Sequence, residues 1–123
     1  MILRVVIAFL LLTSPALAID FNRFLLDDDD KPICEVAKEN DVCPQGRNFT
    51  LGRAVRNALY AAFPDEQNLP GDEKVKRAEL AMRTKQENAQ FQAEDIALMK
   101  KLTGKLYSPL IVMRIWELLD PKK

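Results

Sequence analysis

The chain has 123 residues with 18 basic and 18 acidic side chains, so it carries no net charge at pH 7, and it contains two cysteines and no histidine. A balanced charge leaves no clustered basic surface of the kind that grips phosphate backbones, and nucleic acid is therefore not expected as a partner. Without histidine the Ser-His-Asp and Cys-His nucleophile systems are excluded, and a single cysteine pair cannot complete a zinc shell, so no cofactor and no metal site is expected.

The first residues follow the three-part pattern of an export signal. Arg4 supplies a positive start, Val5 to Leu12 an apolar core, and Ser14-Pro15-Ala16-Leu17-Ala18 a stretch ending in small residues. The pattern predicts cleavage between Ala18 and Ile19, with Ala16 and Ala18 as the small residues a peptidase reads. A membrane-spanning helix needs about 20 apolar residues, whereas this run is interrupted by Thr13, Ser14 and Pro15. The expectation is an exported protein, periplasmic or extracellular, with residues 1–18 removed and no membrane span left. Roughly a hundred residues then remain, enough for one domain with a modest core.

Residues 19–48 read as an N-terminal arm. Ile19 to Leu26 and Lys31 to Val36 are short apolar stretches separated by Asp27-Asp28-Asp29-Asp30. This spacing predicts a short β-hairpin or an extended arm, although the turn lacks the Asn-Gly or Asp-Gly pair that marks tight hairpins. Cys34 and Cys43 flank a polar loop, and in an exported chain such a pair is expected to form a disulfide.

Residues 49–123 read as a helical domain. A first helix is predicted after Thr50 as N-cap, with Leu51, Ala54, Val55, Ala58, Leu59, Ala62 and Phe63 on its buried face and Pro64 as its stop. The connector with Pro70 and Gly71 leads to a second helix from about Asp72 to Glu87, with Val75, Ala78, Ala81 and Met82 as its apolar stripe. Lys74, Lys76, Arg77, Arg83 and Lys85, interleaved with acids, read as its solvated surface. A third helix runs from Ala93 to Leu106 through Ile96, Ala97, Met99 and Leu102, with Gly104 marking a weak end near Thr103. Ser108 and Pro109 open a fourth, carrying Leu110, Ile111, Ile115, Leu118 and Leu119. The expected fold is mainly α, a small bundle of about four helices preceded by the hairpin or arm, with short connectors favouring antiparallel neighbours.

The segments TLGRAVRNAL, DEKVKRAELA, AEDIALMKKL and YSPLIVMRIWELLD, together with the DDDDKPI turn, resemble a loose family of small uncharacterised helical proteins from prophages. These are packing and capping motifs, and the resemblance implies a shared helical fold with no known activity. The chain departs from that pattern in its export signal and cysteine pair, which argues against a cytoplasmic or virion-assembly role.

Few residues remain for chemistry. Ser108 is the single serine outside the leader, and the start of the last helix accounts for it. Paired carboxylates of the glycoside-hydrolase type stay open in principle. The four consecutive aspartates lack the alternating ligands, glycine and terminal glutamate of an EF-type calcium loop, and read as a solvated acidic turn. The last helix is the most apolar stretch of the domain, and core packing is its default. Val112, Met113 and Trp116, however, fall beside its buried stripe; exposed together they would form a partner-binding patch. The expected role is thus a small secreted or periplasmic binding module for an unknown protein partner, without catalytic chemistry. The alternatives are a carboxylate-dependent hydrolase of cell-wall or sugar substrates and an accessory protein of an envelope assembly.

Overall fold

The computed structural model describes residues 19–120. The expected leader, with Ala16 and Ala18, lies outside the described residues, and Ile19 is the first of them. Four helices follow the arm: α1 (Leu51–Tyr60), α2 (Gly71–Arg83), α3 (Ala93–Leu106) and α4 (Pro109–Leu119). No helix among the described residues is long and apolar enough to cross a membrane.

α1 is the hub, packing against α2, α3 and α4. Thr50 caps it as expected, its hydroxyl accepting from the Arg53 amide at 3.1 Å. The helix ends at Tyr60, before Pro64. A proline disfavours helical geometry in the residue ahead of it, and Ala61 and Phe63 are extended. Phe63 still reaches the core, whereas Ala62 is exposed. A single 3₁₀ turn, Pro64–Glu66, leads towards α2.

The face of α2 differs from the one its apolar residues predict. Val75 and Met82 are exposed, and the helix buries Arg77, Leu80 and Ala81. Arg77 is only 4% exposed; it occupies a core-facing position because Glu66 meets its guanidinium with two hydrogen bonds. α2 also stops at Arg83 rather than near Glu87. The next amides, of Lys85 and Gln86, bond three residues back, the tightened geometry common at helix ends. Asn88 then turns the chain with φ of 62°. α3 has the expected bounds and runs through Gly104 without ending there, although its Ala97 and Leu106 are exposed.

The hairpin alternative for the arm is not supported, since the described residues contain no sheet. Isolated antiparallel bridges join Phe24 to Thr50, Leu26 to Pro32 and Cys34 to Asn48. The reason lies in a closed ring of backbone bonds. Leu25 N–H donates to Phe49 O, Phe49 N–H to Ile33 O, and Ile33 N–H to Leu25 O, at 2.9, 2.7 and 2.9 Å. Three short segments thus satisfy one another in a triangle, and no pair of them extends into a ladder. Cys34 and Cys43 form the expected disulfide, with Cα atoms 5.7 Å apart.

Phe21 and Leu25 from the arm join the same core cluster as Leu51, Val55, Leu59, Met99, Leu102, Ile115 and Leu119. Phe21 meets Phe91 edge to face at 5.4 Å between ring centroids, a favoured aromatic geometry.

Candidate functional site

α4 presents two unequal faces. Ile115 and Leu119 are fully buried, and Ile111 and Leu118 are half-buried beside them. At a helical repeat of 3.6 residues per turn, Met113 and Trp116 fall on the side away from that stripe. They are 47% and 41% exposed. Trp116 is therefore not a core residue, in contrast to the default for this helix. Val112 is half-buried at the flank.

The indole is held in place along α3. Its Nε1 donates to Lys100 O at 3.2 Å, and Lys100 Nζ lies 5.7 Å from the ring centroid, within reach of cation–π attraction. Lys100 also pairs with Asp120 at 3.4 Å. The ring lies close to α3 at Gly104, where a Cβ would stand 3.4 Å from Trp116 Cζ2, in ordinary contact. The result is a shallow groove of about 520 Å³ lined by Lys100, Met113, Trp116, Glu117 and Asp120. Of the three residues singled out from sequence, the groove brings together Met113 and Trp116; Val112 does not line it. It combines a pre-positioned aromatic, a flexible thioether and a charged rim, an arrangement suited to an apolar anchor from a protein partner.

The acidic run serves the fold. Asp27 Oδ1 accepts from the amides of Asp29 and Lys31 at 2.8 and 3.0 Å, and these bonds, from Lys31 first and then Asp29, hold the pKa of its carboxyl below the ordinary carboxylate value. Asp30 Oδ1 pairs with Arg114 Nη2 at 2.9 Å. Arg114 further donates to the carbonyls of Leu26 and Asp27 at 3.1 and 2.8 Å, and so clamps the turn to α4. In sequence Arg114 shows only as an interruption of an apolar helix.

A second concavity, of about 640 Å³, lies between the start of the described chain, α1 and the loop after α2, with Ile19, Arg56, Thr84 and Lys85 among its walls. Arg56 has little sequence signal beyond a glycine, Gly52, one helical turn earlier. No protein-family model, no curated protein and no solved structure matches the chain.

Proposed function

We propose that the protein is a small exported binding module that engages a protein partner through Met113 and Trp116, with Val112 at the edge of the contact. The observation that carries this reading is the half-exposed indole. A tryptophan fixed at its N–H and along one side, with its remaining surface open to solvent beside an exposed methionine, has contact area left to bury at little entropic cost. The Lys100–Asp120 pair at the rim fits an interface whose apolar centre is ringed by polar groups. The Cys34–Cys43 bridge supports the exported half of the reading, because such bonds persist in oxidising compartments.

The rival hydrolase would draw on Asp20 and Glu87, two acids of the larger concavity. Asp20 Oδ1 is already engaged by the Asn22 amide at 2.9 Å, which suits a turn cap better than a proton-transfer group. The surface reading is preferred for that reason.

Site-specific photo-crosslinking tests it. A photoreactive residue in place of Met113 should give a discrete protein adduct in the native host, diminished by Trp116→Ala, while the same probe at exposed Lys101 should give none. Equal labelling from both positions, or no adduct at 113, would overturn the assignment. Intact mass of the accumulated protein should begin at Ile19, and retention of Met1 would remove the exported part.

A further inference from the structure

Arg56 stands apart among the arginines of the fold. Arg77, Arg83 and Arg114 are buried or half-buried, and each has a carboxylate at ion-pair distance, from Glu66, Asp95 and Asp30 respectively. Arg56 is half-buried as well, yet among the described residues it has no such partner. Its Nη1 donates to Thr84 Oγ1 at 3.1 Å. That hydroxyl is neutral and donates its own proton to Ala81 O. Withdrawing a guanidinium from water without a counter-charge is unfavourable.

The fold nevertheless holds it there. A Cβ on residue 52 would sit 2.8 Å from Arg56 Nη1 and 3.0 Å from Phe21 O, so Gly52 leaves the slot in which the guanidinium lies against the first turn of α1. That turn contains no acidic residue, and the start of a helix carries positive potential of its own. Burial, and after it the neighbouring Arg53 charge, push the Arg56 guanidinium below its ordinary proton affinity. The two leading influences on this group, burial and the Arg53 charge, are ones that an anion would relieve.

The surrounding walls supply matching donors. Lys85 and the amide side chains of Asn22 and Asn88 line the same cleft as Arg56. A planar guanidinium fork flanked by amide and ammonium donors suits an oxyanion, which it binds through charge-assisted hydrogen bonds. Asp20 and Glu87 also line the cleft, and their charges oppose an extended polyanion more strongly than a small ligand with a single anionic group. We propose that this cleft binds the oxyanion group of a small ligand, a carboxylate or a phosphate, on Arg56. The site shares no residue with the Trp116 groove and is independent of the partner-binding reading.

Nitrogen-15 NMR titration of the disulfide-bonded protein with sodium phosphate and with sodium acetate, each at ionic strength held constant with sodium chloride, tests the proposal. For at least one anion, saturable shifts are expected at Arg56 Nε–H and at the amides of residues 84–88. The anion that saturates identifies the ligand class. Arg56→Gln should weaken that binding by about tenfold or more, as loss of a charge-assisted fork implies. Linear shifts with both salts, saturable shifts centred elsewhere, or unchanged affinity in Arg56→Gln would each overturn it. Because the shift map of the unaltered protein is decisive by itself, the test does not depend on the variant folding.

Discussion

Glu66 accepts two parallel hydrogen bonds from Arg77, 2.8 and 2.9 Å long, and so ties the 3₁₀ turn after α1 to the buried face of α2. The bonds from Arg77 hold the Glu66 carboxyl down to about 2 from an ordinary 4.5. A carboxyl depressed in the fold contributes stability that is complete above its unfolded value and is lost as pH falls through its folded one. Acid titration of unfolding should therefore show a loss beginning below pH 4.5 and continuing towards pH 2, and Glu66→Gln should flatten that part of the curve. Arg77→Ala leaves the mostly buried Glu66 carboxylate with Lys105 alone, 3.7 Å away, and should cost about 1.5–3 kcal/mol. Arg77 Nε is itself buried without a hydrogen-bond partner, so replacing both residues by methionine should recover much of that loss. Denaturant unfolding of the three variants checks the ordering.

Arg114 does for the arm what Arg77 does for α2. Arg114→Ala would remove the donor of the Leu26 carbonyl, leave the Asp27 carbonyl with the Asp30 amide alone, and take the cation from Asp30. The expected cost is about 1–3 kcal/mol. Hydrogen exchange should rise at the Asp27 amide, which bonds to Lys31 O, while amides in the middle of α1 keep their protection relative to global unfolding. Unchanged exchange across the turn would show that the turn stands without the clamp.

These two arginines also mark where the sequence stopped being legible. α1, α3 and α4 could be placed from Thr50, the Ala93 to Leu106 periodicity and the Ser108-Pro109 start, because caps and apolar spacing act within a few residues of one another. The face of α2 could not, since periodicity counts apolar residues and Arg77 enters the core only by meeting Glu66 eleven positions away. The arm was ambiguous for a related reason: Leu25 bonds to Phe49, far along the chain, and that third segment turns an apparent hairpin into a triangle. The offset of Met113 and Trp116 from Ile115 and Leu119 was legible because it is a property of one helix, whereas the exposure of Trp116 was not, core packing being the default for that helix. The Arg56 cleft was not, since it needs the Gly52 slot, Phe21 and the loop after α2 at once.

Gly104 offers a separate test of the Trp116 groove. The residue sits inside α3, where glycine is about 0.5–1 kcal/mol less favourable than alanine, and a methyl there would meet Trp116 Cζ2 at 3.4 Å, an ordinary contact. Gly104→Ala should raise the free energy of unfolding by about that amount, and tryptophan fluorescence should change little. A destabilised variant with a shifted emission maximum would place the indole closer to α3 than described.

The disulfide closes a small loop, and the arrangement of the arm decides how far its effect travels. Cys34 and Cys43 are nine positions apart, for which the chain-entropy model gives at most about 2.7 kcal/mol. Residues 37–42 between them are exposed, and a local bridge joins Glu39 to Val42. Outside the loop, the arm is tied down independently: Phe21 and Leu25 lie in the core with the helices, the Leu25, Ile33 and Phe49 backbone groups satisfy one another, and Arg114 grips the acidic turn. Reduction, or a double Cys to Ser replacement, should therefore speed amide exchange at Glu35, Glu39 and Val42, lower global stability by no more than the model value, and leave helical circular dichroism intact. The amides of Leu25 and Ile33 should stay protected. Loss of helical signal on reduction would contradict this, because it would mean that the ring and the clamp hold only while the bridge holds them.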